Sequence, residues 1–237
     1  MPNTEMSLVS SPIIVALDYP EASQALNMAR QLNPAQCRVK VGKELFTRAG
    51  PKVIHELHDM GFEVFLDLKF HDIPTTTAKA VVSAAELGVW MVNVHASAGS
   101  KAMQLSKNML DEGGFTTKLI GVTVLTSMSE ADLAETGVTR SVTDQVRHLA
   151  ALTQKSGLHG VVCSAQEASM LKAELGEDFL KVTPGIRMAS DDQSDQTRVC
   201  TPREALAQGA THLVIGRSIT AAVDPSAALA AILESIG

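Results

Sequence analysis

The stretch IIVALDYPEASQALNMARQLNPAQCRVKVG (residues 13–42) contains the unit that repeats along the chain. IIVALD (13–18) and CRVKVG (37–42) are short apolar runs rich in β-branched residues, which is typical of strands buried on both faces. Between them, EASQALNMARQL (21–32) follows Pro20 and has the pattern of a helix. This stretch therefore predicts a strand, a helix and a second strand.

Six further apolar segments of the same kind follow, most of them separated by helical patterns. They are EVFLDLK (63–69), MVNVHA (91–96), LIGVTVL (119–125), GVVCSA (160–165), LKVTPGI (180–186) and HLVIGR (212–217). Helices are also expected at TTTAKAVVSAAELG (75–88) and SVTDQVRHLAALTQKSG (141–157). Eight such units predict an α/β fold in which a parallel sheet closes into a (β/α)8 TIM barrel. An open doubly wound sheet is the alternative, but eight units in 237 residues fit the barrel's usual size better.

The chain contains no long linker or low-complexity tract, so we expect one domain over residues 1–237. The first ten residues, MPNTEMSLVS, are expected to form a loosely ordered N-terminal extension. The stretch RMASDDQSDQTRVC (187–200) is polar and has no period. It predicts a mobile loop after the seventh strand, where barrels often bind phosphate.

Composition excludes several classes of protein. A net charge of -6, dispersed basic residues and 3% aromatic residues argue against binding to nucleic acid or to a membrane surface. The first ten residues contain no apolar stretch of signal-peptide length, and no later apolar run reaches about 18 residues, the length expected of a membrane span. Cys37, Cys163 and Cys200 lack metal-ligand spacing and are expected to be free thiols. We therefore expect a cytoplasmic protein.

Charged and polar residues end several of the predicted strands, at the edge where barrels carry their active sites. They are Asp18, Lys40, Asp67, Lys69, His95 and Arg217. Lys40 is the clearest anomaly, because an unpaired ammonium between Val39 and Val41 would destabilise the fold or lose its proton.

Asp18 and Asp67 are plausible partners of Lys40, since they end the flanking strands. The two-residue period of a strand also brings Asp67 and Lys69 to one side of the third strand. The sequence thus predicts an alternating Asp–Lys–Asp–Lys array across three strands. A purely structural ion network is the alternative, but buried ion pairs rarely offset their desolvation, which favours a functional array.

The segment DLKFHDIPTT (67–76) resembles the Asp-x-Lys-x-x-Asp-Ile-Pro signature of the orotidine 5'-phosphate decarboxylase family. Other matching segments follow the family's order, and together they cover nearly the whole chain with spacings like those of the bacterial branch. They are ALD (16–18), KVG (40–42), NVHA (93–96), VLTSM (124–128), TPGIR (183–187) and IGRSI (215–219).

This resemblance implies a lyase of de novo pyrimidine biosynthesis that decarboxylates orotidine 5'-monophosphate to UMP and CO2 with no cofactor and no metal. It implies that Lys69 stabilises and protonates the C6 carbanion. Lys40, Asp67 and Asp72 would complete the catalytic array, with Asp72 reaching the site from the partner subunit of a homodimer. Thr76 would join the substrate contacts from the same partner.

The resemblance also implies the substrate contacts. Asp18 and Lys40 would bind ribose hydroxyls beside Asp67, and Thr126 would contact the pyrimidine, with Ser127 and Ser129 as close alternatives. The phosphate would be held by residues near the ends of the last two strands. These are Arg187, Gln196, Gly216 and Arg217.

Other interpretations stay open. His55 and His58 could bind a metal, but a solvated helix face is the simpler explanation, because no third ligand has recognisable spacing. His71 is expected to be positional, and a direct role for His95 is undecided. A Mg2+-dependent enzyme acting on a phosphorylated keto sugar shares the Asp-x-Lys-x-x-Asp pattern. A non-catalytic barrel that binds a phosphorylated ligand is the third hypothesis, although it would not need Lys69.

Overall fold

Eight parallel strands close into a barrel in this computed structural model, which describes residues 9–188 and 200–237. Each strand pairs with the next along the chain, and β8 pairs with β1. The strands are β1 (Ile13–Ala16), β2 (Arg38–Gly42), β3 (Val64–Phe70), β4 (Met91–His95), β5 (Lys118–Val122), β6 (Gly160–Val162), β7 (Leu180–Thr183) and β8 (His212–Ile215). The predicted (β/α)8 barrel is therefore confirmed, and the open doubly wound sheet is excluded.

The strands are buried on both faces, as their apolar sequences predict. Outward-facing residues such as Val39 and Val41 belong to the main core, between the sheet and the helices. A second set of buried residues points into the barrel and is called the inner cluster below. It comprises Ile14, Ala16, Phe65, Met91, Ile120, Val182 and Val214.

Helices connect successive strands on the outside of the barrel. Eleven α-helices are found among the described residues: α1 (Ala22–Ala29), α2 (Lys43–Ala49), α3 (Lys52–Asp59), α4 (Pro74–Glu86), α5 (Ser100–Glu112), α6 (Glu130–Glu135), α7 (Val142–Lys155), α8 (Ala165–Leu175), α9 (Pro202–Ala207), α10 (Arg217–Thr220) and α11 (Pro225–Ile236). The three helices predicted from the sequence correspond to α1, α4 and α7. Two of the three starts follow known rules: Pro74 opens α4, and the Ser141 hydroxyl accepts from the Asp144 N–H at the start of α7.

The amino-terminal end of the barrel is closed by a buried ion pair. Arg38 and Glu63 are 5% and 8% exposed, and Arg38 Nε lies 2.7 Å from Glu63 Oε2. The same guanidinium donates to the backbone oxygens of Ser11 and Val9 at 2.9 and 2.6 Å. Val9, at the end of the expected N-terminal extension, is thus buried and bonded, whereas residues 1–8 lie outside the described residues.

No helix in the described part of the chain is both long enough and apolar enough to cross a membrane.

Candidate active site

Four charged side chains meet at the carboxyl ends of the first three strands. Lys40 Nζ lies 2.8 Å from Asp18 Oδ1 and 3.5 Å from Asp67 Oδ2. Lys69 Nζ lies 2.6 Å from Asp67 Oδ1. The alternating array expected from the sequence is present, because parallel strands in register bring their carboxyl ends to one edge.

The array runs from the protein surface into the barrel. The Asp18 side chain is 66% exposed, whereas those of Lys40 and Asp67 are 10% and 12% exposed. Lys69 is intermediate, at 25%. The two inner charges are therefore shielded from water, which strengthens their interaction, while Lys69 and Asp18 remain accessible to a ligand.

Asp67 is held in its ionised form. Burial alone would raise the pKa of its carboxyl group, but Lys40, Lys69 and hydrogen bonds from Lys69 and Asn93 together lower that pKa below its usual value. Asp67 is thus a fixed negative charge beside the Lys69 ammonium.

Asn93 on β4 joins the array, although the sequence analysis gave it no role. Its side chain is 0% exposed, and its Nδ2 donates to Asp67 Oδ1 at 2.7 Å. Its Oδ1 accepts the backbone N–H of Lys69, also at 2.7 Å. The sequence did contain a signal for this role, because Asn93 is a polar residue between Val92 and Val94 in the apolar strand MVNVHA. Lys40 stands out in RVKVG for the same reason.

A cavity of about 230 Å3 opens beside the array. Its lining combines three charged residues with apolar side chains from the barrel interior. The lining residues are Lys40, Phe65, Asp67, Lys69, Val122, Val124, Leu125, Thr126, Ser127, Val162, Cys163, Val182, Pro184 and Val214. Small-molecule sites usually measure ~300–1,000 Å3, so a nucleotide-sized ligand would have to extend beyond this cavity across the strand ends.

The residues that follow β5 divide into two groups. Thr126 and Ser127 are exposed and line the cavity. Ser129 instead starts α6: its N–H and hydroxyl both bond Asp132 Oδ2, at 2.7 and 2.6 Å. Of the three candidate pyrimidine contacts, Thr126 and Ser127 are therefore close to the charged array, and Ser129 serves as a helix cap.

Asp72 and Thr76 lie on the surface at the start of α4. Both residues are exposed, and the neighbouring Ile73 is 66% exposed. The Asp72 N–H donates to the Thr77 hydroxyl, which donates in turn to the Asp72 carbonyl oxygen. In its own chain, Asp72 forms no ion pair with Lys69 within 4.0 Å.

The proposed phosphate ligands follow β7 and β8. The Arg187 N–H donates to the carbonyl oxygen of Cys200, next to an isolated bridge between Ile186 and Cys200. Gly216 and Arg217 lie at the junction of β8 and α10. Gln196 lies outside the described residues, as does most of the segment 187–200 that was expected to form a mobile loop.

The histidine residues lie beside the array rather than in it. The rings of His71 and His95 are 5.6 Å apart, and neither residue lines the cavity. Burial lowers the pKa of His95, and the neighbouring His71, Lys43 and Lys69 lower it further.

No group of three His, Cys, Asp or Glu side chains suited to a metal ion occurs in residues 9–188 and 200–237, and His55 is exposed.

A parallel barrel with a charged cavity at the carboxyl ends of its strands has the architecture of a TIM-barrel enzyme. Residues 11–232 match the model of the orotidine 5'-phosphate decarboxylase / HUMPS family. The chain therefore belongs to this family, in agreement with the resemblance seen in its motifs.

Individual relatives carry the same name. The orotidine 5'-phosphate decarboxylase of Chromohalobacter salexigens is 59% identical over 224 residues, which cover 94% of this chain and 95% of that protein. The enzyme of the same name from Marinomonas sp. is 60% identical over 220 residues, covering 92% and 94%. The crystal structure of orotidine 5'-phosphate decarboxylase from Lactobacillus acidophilus has a TM-score of 0.86 and 40% identity, covering 96% of this chain and 99% of that one.

Proposed function

We propose that this protein decarboxylates orotidine 5'-monophosphate to UMP and CO2 in de novo pyrimidine biosynthesis, without a cofactor. The observation that carries the proposal is the array of Asp18, Lys40, Asp67 and Lys69 beside a cavity at the carboxyl ends of the strands. The family and the names of the relatives support the same substrate.

The chemistry explains why an ammonium group is needed. When the bond between C6 and the carboxylate breaks, its electron pair stays on C6 in the plane of the ring, where the π system cannot delocalise it. A nearby cation stabilises this carbanion electrostatically and then supplies the proton that forms the new C6–H bond. Lys69 is the proposed donor, and water then returns a proton to its amine.

The neighbouring carboxylates prepare Lys69 for this role. Asp67 Oδ1 lies 2.6 Å from Lys69 Nζ, so an ion pair holds the Lys69 side chain beside the cavity. The substrate carboxylate would add a further negative charge near Asp67, and the loss of neutral CO2 would relieve that repulsion. We rank this second effect below carbanion stabilisation, because the cation acts directly on the charge that develops.

The rest of the substrate is assigned to the surrounding residues. Asp18 and Lys40 are proposed to bind the ribose hydroxyls and Thr126 the pyrimidine, with Ser127 as its neighbour in the cavity. Phosphate binding is proposed for residues at the ends of the last two strands. They are Arg187, Gln196, Gly216 and Arg217. Binding energy at the remote phosphate can hold the base against the array during the reaction.

The site is proposed to be shared by two chains of a homodimer. Asp72 and Thr76 are exposed and Asp72 is unpaired with its own Lys69, as expected of residues that contact a partner's substrate. The 66% exposure of Ile73 between them also suits an interface, because large apolar side chains are favoured there. A cytoplasmic location belongs to the same proposal and is supported by three free cysteines.

An ultraviolet assay tests the reaction directly. Orotidine 5'-monophosphate should lose its absorbance and release CO2 in the presence of EDTA. Lys69→Ala should lower kcat by at least ~10^4-fold, whereas Lys52→Ala, at an exposed lysine on α3, should leave it unchanged. Turnover abolished by the chelator, or thermal stabilisation by pentose phosphates but not by UMP, would favour the Mg2+-dependent sugar-phosphate enzyme. Tight UMP binding without turnover would favour a binding protein.

Mixing two inactive variants tests the shared site. A dimer of one Lys69→Ala chain and one Asp72→Ala chain contains one site free of both changes. Equimolar mixing with complete subunit exchange should restore about a quarter of wild-type activity. If exchange is verified by mass spectrometry and activity does not return, Asp72 does not act across an interface.

A further inference from the structure

The backbone at Lys69 has an unusual conformation. Its φ is +52°, and no other residue except glycine has a positive φ in the part of the chain that is described. A lysine seldom adopts this left-handed conformation, because its Cβ crowds the backbone. Such a conformation persists where the surroundings impose it, and it occurs preferentially at functional sites.

The left-handed residue lies in an interruption of the sheet. Leu66 pairs with Val92 and Phe70 pairs with Val94, so that the three residues 67–69 of β3 face Asn93 alone on β4. A bulge of this kind changes the direction in which a strand's side chains point. Here the bulge contains Asp67 and Lys69, two of the four charged residues of the array.

Asn93 forms hydrogen bonds with one backbone group and one side chain of the bulge. Its Oδ1 accepts the Lys69 N–H, and its Nδ2 donates to Asp67 Oδ1. The orientation of the amide is fixed by chemistry, since an ionised carboxylate accepts and a backbone N–H donates. One fully buried side chain thus binds both the backbone of the lysine and the carboxylate that pairs with its ammonium.

We propose that Asn93 is a positioning residue for the reaction, which maintains the left-handed backbone of Lys69 and the orientation of Asp67 so that the ammonium points into the cavity. This inference rests on the proposed function of Lys69. Asn93 itself does not line the cavity, so it acts through these two neighbours rather than on the substrate.

Few other side chains could replace this amide. Alanine and leucine would leave the Lys69 N–H and the Asp67 carboxylate without this partner. An ionised aspartate could accept from the N–H but would repel Asp67. A protonated aspartate, however, offers one donor and one acceptor on adjacent atoms, as asparagine does. Asn93→Asp is therefore a variant whose defect should depend on pH.

The pH dependence has a defined direction. A carboxyl group placed beside Asp67 would have a raised pKa, because two adjacent carboxylates do not ionise together. Lys69 and Lys40 also face this position from β3 and β2 and oppose the rise, and His95 lies two residues along β4. Acid should thus restore the donor that Asn93→Asp lacks at neutral pH.

The test compares kinetic constants of three variants across pH. We expect Asn93→Ala to lower kcat by ~10^2- to 10^3-fold at every pH, with UMP affinity changed less than ~3-fold. Asn93→Asp should show a similar loss at about pH 8 and regain at least ~10-fold in kcat relative to wild type at about pH 5. Thr117→Val is the matched control, since it removes a buried hydrogen bond to the Val89 carbonyl just before β4 and β5, at the end of the barrel opposite the array. It should leave kcat unchanged.

One further measurement and one further variant separate the possible failures. Exchange of the Lys69 amide hydrogen should be faster in Asn93→Ala, whether or not the enzyme turns over the substrate. If Asn93→Ala does not fold, Asn93→Ser, which keeps a hydroxyl donor and acceptor, replaces it in the comparison. Wild-type protein that fails to decarboxylate the nucleotide would refute the proposed function. Unchanged kcat in the Asn93 variants, or an Asn93→Asp defect that is the same at both pH values, would refute the positioning role.

Discussion

Arg38 and Trp90 stack at the amino-terminal end of the barrel, with the guanidinium carbon 4.1 Å from the centre of the indole ring. The second partner of Arg38 is Glu63, and both charges are buried. Stacking on an aromatic face is a known preference of arginine, and here it adds to the ion pair and to two bonds to backbone oxygens. Arg38 is therefore the residue on which this end of the barrel depends.

Arg38→Met should destabilise the protein by about 3–5 kcal/mol, because it leaves Glu63 as an uncompensated buried charge. The double variant Arg38→Met/Glu63→Leu should recover part of this loss. Trp90, the single tryptophan of the chain, reports on this end of the barrel, so urea unfolding can be followed by its fluorescence. A double variant no more stable than the single one would contradict this account.

His212 makes the same end of the barrel sensitive to acid. Burial, and then the positive charge of Arg38, lower the pKa of His212 from its usual value to about 4. The unfolded chain therefore binds a proton at higher pH than the folded chain, and stability falls as pH drops through the range from about 6.5 to about 4. When the pH is lowered from about 7.5 to about 5, the free energy of unfolding of His212→Gln should fall by about 2 kcal/mol less than that of wild type. Parallel urea-unfolding curves for the two proteins measure this difference, and identical pH profiles would disprove it.

Lys40 should control the acid limit of activity. It is one of two cations that lower the pKa of Asp67 against the effect of burial. Lys40→Met should raise the pKa of Asp67, so that on acidification activity is lost at a higher pH than in wild type. At the pH optimum, kcat/KM should fall by ~10^2-fold or more. Asp18→Asn is a suitable comparison because Asp18 is far more exposed and should shift the acid limit less. The pH–rate profiles of wild type, Lys40→Met and Asp18→Asn measure these shifts. An acid limit that is the same in Lys40→Met and wild type would contradict the prediction.

The three cysteines should differ in reactivity. Burial raises the pKa of both Cys37 and Cys163 to about 12, so their thiolates are scarce near neutral pH. Burial and the charge of Glu204 also raise the pKa of Cys200, but this residue is partly exposed. Iodoacetamide should modify Cys200 first in the native protein, and Cys200→Ser should abolish native-state labelling. Modification of Cys163 at a comparable rate, detected by peptide mass spectrometry, would contradict the prediction.

The barrel was predictable because each strand has a strong local signal. Segments such as IIVALD and HLVIGR are apolar and β-branched, and their spacing allows a helix between them. The short helices were harder to predict. The single connection between β2 and β3 contains two helices, α2 and α3, separated at Gly50, which has a φ of +64°. Such breaks depend on how the connection packs on the sheet, and not on the periodicity of apolar residues alone.

The charged array was predictable for a different reason. Lys40 conflicts with its apolar neighbours, and this conflict implies partners on the adjacent strands. The left-handed backbone of Lys69 gave no such signal, because the two-residue period assumes a regular strand. Asn93 was missed since a neutral amide causes less conflict than a charge. The contribution of Asp72 to a partner's site remains a proposal, because a surface carboxylate in one chain does not specify what it faces in another.

The inner cluster of apolar residues has a consequence for engineering. Glu63 lies just before β3, and Phe65 and Asp67 follow on the strand, so that Phe65 separates the charges at the amino end from those at the carboxyl end. Among the described residues the two networks have no partner in common, so substitutions in the two should combine additively. Heat resistance could then be selected at the amino-terminal end while the substrate range is evolved independently at the other.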